Sequence, residues 1–148
     1  MNLTPDVEAL IAELGRLWRN YSSAFQTGDM KAIMPMFDMP VSIVTREDTR
    51  VFHDPEALLT NNEALVGFYR SQGVVRVEAT ITDVEPFHRH FAQVKIAYTL
   101  LDSNNNTVVT FATVYALKHK GDRWLIHHII GQDERDAWTA HVSAVRTH

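Results

Sequence analysis

The residues able to do chemistry in this chain are few, and most of them are histidine or tyrosine. Eight histidines and four tyrosines occur with no cysteine, which removes thiolate nucleophiles, thiolate metal sites and disulfides. His128 lies between Ile126 and Ile130 at period-two spacing, on the apolar side of an apparent strand. An imidazole there titrates near neutrality and can donate, accept or pass a proton. His127 takes the opposite side. His88 and His90 share one side of a strand, as two metal ligands would. Beside Pro86 and without a third ligand nearby they read as surface imidazoles, and no metal is expected. His53 and His141 have no constellation around them. Tyr21 sits on a helix stripe, where a phenol either packs or offers a hydrogen bond to a ligand. Asp133, Glu134, Arg135 and Asp136 read as helix-start charges, solvated by default, with gating or substrate charge recognition as the functional alternative. There is no glycine-rich phosphate loop and no Ser-His-Asp spacing.

The elements that position these groups follow from periodicity. Thr4 caps a first helix, Pro5 occupies its first position, and Asp6 and Glu8 favour the positive end of the dipole. Val7, Leu10, Ile11, Leu14, Trp18, Tyr21 and Phe25 recur at spacings of three and four, and Gly28 ends the helix. Asp29 then opens a short second helix carrying Ile33, Met34 and Phe37, with Pro35 as a kink. Val41, Ile43 and Thr45 alternate as a strand after Pro40, and a shorter strand surrounds Val51 and Phe52. Thr60 and Glu63 form a capping box for a third helix that ends at Gly73, with Asp54 to Leu59 as a separate turn. Four long strands follow: Val74–Glu85, Phe87–Leu101, Thr107–His119 and Arg123–Gln132, divided by Pro86, Asp102–Asn106 and Lys120–Asp122. A terminal helix carries Ala137, Trp138, Val142 and Val145 on one side, and Trp138 is expected to be buried there.

Helices followed by a meander of long strands predict an α+β fold, a cone-shaped roll with N-terminal helices packed into a curved, mostly antiparallel sheet. Residues 1–148 are read as one domain of this kind. Such a roll leaves a cavity at its open end, a natural small-molecule site. Strand parity assigns Trp124, Ile126, His128, Ile130 and Gln132 to the helix-covered face. The same parity puts Val109, Phe111, Thr113, Tyr115 and Leu117 there, with Val94, Ile96, Tyr98 and Leu100. The expected lining is Tyr21, Phe25, Thr45, Tyr98, Thr113, Tyr115, His128, Ile130 and Gln132, with no carboxylate among them.

The run from Tyr21 to Asp29, the Phe68-Tyr69 pair and the Gly121-Asp122-Arg123-Trp124 turn, in this order, resemble the nuclear transport factor 2-like superfamily. That group contains ketosteroid isomerases, scytalone dehydratase and SnoaL-like polyketide cyclases, and the resemblance spans roughly residues 5–132. It implies a cystatin-like roll. In the isomerases a tyrosine and a buried aspartic acid stabilise an oxyanion while a second aspartate moves the proton. Tyr21 falls on that tyrosine, but the base position falls on Thr45 and the protonated-aspartate position on Thr113. A threonine hydroxyl is no base near neutral pH and a poorer donor than a neutral carboxylic acid, so isomerase chemistry is not carried over.

A formal charge of −4, from 14 basic and 18 acidic residues, with the basic ones scattered singly, argues against nucleic acid as a partner. No apolar run reaches the roughly 18–20 residues of a membrane span, and the N-terminus lacks the pattern of a secretory signal. A cytoplasmic location is expected, and no cofactor. The outward set Val108, Ala112, Val114, Ala116, Leu125 and Ile129 is itself apolar, which predicts a homodimer through the outer sheet face. Two functions stand side by side. One is a non-catalytic domain binding a small apolar molecule. The other is a lyase, isomerase or cyclase acting on an apolar oxygenated substrate, with His128 as acid/base and Tyr21 as hydrogen-bond donor.

Overall fold

The computed structural model describes residues 6–146. The predicted cap at Thr4 and Pro5 lies outside them. Within them Asp6 caps helix α1 (Val7–Thr27), its carboxylate accepting from the Ala9 N–H at 3.2 Å. Leu10, Leu14, Trp18, Tyr21 and Ala24 form the buried stripe of α1, while Val7 and Ile11 are exposed. Gly28 ends the helix with φ +82°, a left-handed conformation that costs glycine little, and returns its N–H to Ala24 O at 2.8 Å. The predicted short second helix is a 3-10 segment, Met30–Met36, and Asp29 makes no side-chain cap to it.

Strands β1 (Phe37–Val44) and β2 (Thr49–Phe52) form a hairpin. Helix α2 then runs unbroken over Pro55–Ser71. The predicted start at Thr60 is therefore wrong: Asp54 is the cap, accepting from Ala57 N at 2.9 Å, with Pro55 at the favoured first position. A stronger cap upstream outcompetes the Thr60 capping box, and Asn61 and Asn62 are carried inside the helix.

Strands β3 (Arg76–His88), β4 (Phe91–Leu101), β5 (Thr107–Lys120) and β6 (Arg123–Ile130) complete one sheet of order β2-β1-β6-β5-β4-β3. All pairings are antiparallel except β1 with β6. Pro86 does not break the chain as predicted. It sits inside β3 opposite Ala92, tolerated because β3 is an edge strand whose outer N–H groups need no partner. Helix α3 (Gln132–Arg146) closes the described chain. The sheet curls around α1, and one continuous apolar cluster joins the α1 stripe to Val94, Ile96, Leu117 and Ile126. No helix of the described residues is long and apolar enough to cross a membrane.

Candidate functional site

The register of β6 decides which groups face the cavity. Ala116 of β5 pairs with His128, but the next residue, Leu117, pairs with Ile126, leaving His127 as an extra residue in β6. Such a bulge shifts side-chain alternation by one. Ile126 and Ile129 therefore point inward, opposite Leu117 and Tyr115, while His128 and Ile130 turn to the outer face beside Ala116 and Val114. His128 Nδ1 lies 2.6 Å from the hydroxyl of Ser42, its register partner on β1. The predicted pairing of Tyr21 with His128 in one cavity is thus overturned, since the two stand on opposite sides of the sheet. Ile130 is 41% exposed. Gln132 belongs to the start of α3, where it accepts from Arg46 N at 2.5 Å and donates to Asp136 at 2.9 Å.

The other six predicted residues, Tyr21, Phe25, Thr45, Tyr98, Thr113 and Tyr115, do line one cavity of about 520 Å³. Helix α2 adds Asn62, Phe68 and Tyr69, and α3 adds Glu134 and Trp138. All four tyrosines of the chain face this space. Three of them meet on the floor. Trp18 Nε1 donates to Tyr98 at 3.0 Å, the Tyr98 and Tyr115 hydroxyls lie 2.5 Å apart, and the Tyr21 ring stands edge-on to that of Tyr115 with centres 6.0 Å apart. An indole N–H can only donate, so Tyr98 is the acceptor in its bond with Trp18. Burial raises the pKa of each of these phenols, so all stay neutral donors at physiological pH.

Opposite this floor stands a carboxyl group that sequence parity did not place inside. Glu134, in the first turn of α3, accepts from the Tyr69 hydroxyl, and from Trp138 Nε1 at 3.2 Å. Burial raises its pKa above the ordinary glutamate value, opposed by those two hydrogen bonds. Trp138 is only 7% exposed, packed edge-on against Phe68 at 4.9 Å and stacked on Tyr69 at 5.7 Å. The signal for Glu134 was present in the sequence: it lies four residues before Trp138 and so shares its helix face. Its neighbours Asp133, Arg135 and Asp136 are exposed, as their charges suggested.

Between floor and carboxylate the wall holds polar atoms without partners. Among the described residues, the buried side-chain atoms lacking any hydrogen bond are Thr45 Oγ1, Asn62 Nδ2 and Thr113 Oγ1. All three residues line this cavity, and Asn62 and Thr113 are only 4% and 3% exposed. The rim carries Asp48, Arg50, Asn61 and Arg135. Arg50 donates to Asn61 at 2.8 Å, and Arg135 lies 3.7 Å from Glu47. His88 and His90 stand with ring centres 5.4 Å apart, and no metal-holding group of three or more ligand side chains occurs among the described residues.

Solved structures share this fold at low identity. An NTF2-like protein of unknown function from Shewanella oneidensis aligns with TM-score 0.63 and 17% identity, over 81% of this chain and 96% of that one. A domain of unknown function with a cystatin-like fold from Nostoc punctiforme aligns with TM-score 0.69 and 12% identity, over 95% and 88%. Aln2 from Streptomyces aligns with TM-score 0.64 and 12% identity, over 82% and 88%. No curated protein matches the chain. The model of one family, described as NTF2-like protein (DUF6841), matches residues 12–134. The chain belongs to this NTF2-like family.

Proposed function

We propose that this protein binds a small, largely apolar molecule bearing hydrogen-bonding groups, in the cavity between the helices and the concave sheet. The observation that carries the reading is the convergence of Thr45, Thr113 and Asn62 on one cavity with their polar atoms unpartnered. A buried polar atom left unmatched costs about 1–3 kcal/mol. Selection for folding alone would favour valine or leucine at such positions. These atoms are themselves closed off, so a ligand recovers the cost where the lining side chains turn to meet its polar groups. The volume suits a ligand of drug-like size. A displacement titration with a fluorescent apolar probe tests this. The probe should bind, and Thr113→Val with Asn62→Leu should weaken ligands with oxygen groups more than hydrocarbons. Exclusion of the probe from the folded wild type overturns the reading.

A catalytic role remains the second reading, without His128. Glu134 is the carboxyl group inside the cavity, and burial raises its pKa, while Tyr21 keeps its place as donor. We also propose a homodimer through the outer sheet face and a cytoplasmic location. Val108, Ala112, Val114 and Ala116 are half-buried on that face and Ile130 adds to them, while Ile129 turns inward and Leu125 is buried. Val114→Glu should convert the dimer to monomer by light scattering, and a monomeric wild type at micromolar concentration would refute the dimer.

A further inference from the structure

We propose that the ligand of this cavity carries a basic amine, held as an ammonium between the Glu134 carboxylate and the aromatic wall around it. The inference rests on the cavity being a ligand site and narrows what that ligand is. Eight of the residues lining the cavity are aromatic, and Glu134 is the one carboxylate away from the rim. No lysine, arginine or histidine pairs with it among the described residues. The rim arginines are committed elsewhere, Arg135 towards Glu47 and Arg50 to Asn61.

Glu134 is half-buried at the cavity edge of α3, and a carboxylate drawn partly out of water without a cation carries a cost. Both protein donors converge on Oε2, from Tyr69 and from Trp138. Oε1 receives no hydrogen bond among the described residues and keeps its acceptor capacity for a further donor. The Tyr98 and Tyr115 hydroxyls of the floor are engaged with one another. An ammonium supplies both the missing charge and the N–H. Its methyl or methylene groups would meet Phe68, Tyr69 and Trp138, which pack as one cluster beside the carboxylate. Aromatic faces attract such cations, more strongly when water is excluded. A neutral oxygenated ligand could satisfy Thr45, Thr113 and Asn62 equally well, but it would leave the carboxylate uncompensated.

Proton bookkeeping gives an independent readout. The free carboxyl holds its proton more tightly than an ordinary glutamate, because of burial. Binding an ammonium stabilises the ionised form, so at a pH where the free carboxyl is still partly protonated it releases protons into the buffer on binding. The groups facing it are Tyr69 from α2, Tyr21 from α1, Tyr98 from β4 and Tyr115 from β5. All four are neutral throughout this range.

The test compares two probes by calorimetry, phenylpropyl dimethylamine and its hydrocarbon isostere with CH in place of nitrogen. The wild type should bind the amine about tenfold or more tighter than the hydrocarbon. The binding enthalpy should change with buffer ionisation heat in the sense of proton release. Glu134→Gln should abolish both effects while leaving hydrocarbon affinity within about threefold. Phe68→Leu, which keeps bulk without the ring, should weaken the amine about threefold more than it weakens the hydrocarbon. Hydrocarbon binding with no amine preference, or a preference that survives Glu134→Gln, overturns this inference and leaves the cavity reading intact. Failure of both probes to bind the folded wild type overturns the two together.

Discussion

Replacing Thr113 by valine should make this protein more stable. The side chain is 3% exposed and its hydroxyl has no hydrogen-bond partner. Its neighbours across the strands are Ile96 on β4 and, around the cavity, Phe111 and Tyr115. Removing a buried, unmatched hydroxyl recovers roughly 1–2 kcal/mol of desolvation. The added methyl contributes up to about 0.8 kcal/mol if it packs fully, and less against cavity space. Valine keeps the β-branched shape and the strand preference, so no backbone cost opposes these gains. A gain of about 1–2 kcal/mol corresponds to a rise of roughly 3–7 °C in Tm for a chain of this length. Scanning calorimetry on wild type and variant, without ligand, reads this directly. The same variant should lose affinity for oxygenated ligands, which separates stability from function at one atom. A fall in Tm of the same size would refute the reasoning, because it would mean that the hydroxyl is satisfied in the folded state.

Trp138→Ala removes the indole packed on Phe68 and Tyr69 and frees one donor from Glu134; it should cost about 3–5 kcal/mol and lower Tm by roughly 10 °C. Glu134→Gln should flatten the pH dependence of stability. The raised folded pKa means that this carboxyl stabilises the fold most below its unfolded value near 4.5 and loses that contribution as pH rises through the folded value. Urea unfolding across about pH 4 to about pH 8 should therefore show wild type losing ground to the glutamine variant, and parallel curves would exclude the shift. His128→Ala should leave cavity binding unchanged and cost about 1 kcal/mol or less, through the lost contact with Ser42; a tenfold loss of affinity would return the histidine to the site.

Where sequence and structure part company, a single local feature is responsible each time. The roll, the α1 stripe and the long strands follow from periodicities that tertiary packing had no reason to override. The assignment of His128 failed because parity was carried across β6 as though its alternation were unbroken. The segment Trp124-Leu125-Ile126-His127-His128-Ile129-Ile130 does not alternate: two adjacent polar residues divide two apolar groups. That doublet is where the extra residue sits. The helix start was misplaced because two sets of capping residues compete, and Asp54 followed by Pro55 presents the better one. Glu134 was missed for a different reason. Its charged neighbours made the segment look like a solvated helix start, although only the residue in phase with Trp138 is drawn inward.

The cavity's polar groups are divided by what satisfies them, and the division tells binding from folding. On the floor, Trp18, Tyr98 and Tyr115 bond one another across α1, β4 and β5. Such a network fixes the helix over the sheet whether or not anything is bound. Elsewhere in the lining, the Thr45 and Thr113 hydroxyls and Asn62 Nδ2, from β1's end, β5 and α2, have no partner in the described chain, while Asn62 Oδ1 accepts from Asn61. Glu134 stands between the two classes, with Oε2 bonded to protein donors and Oε1 open. A cavity that were merely incomplete packing would be lined by apolar atoms. This one sets unmatched hydroxyl and amide groups beside a hydrogen-bonded Trp-Tyr scaffold, which is the arrangement of a preorganised site.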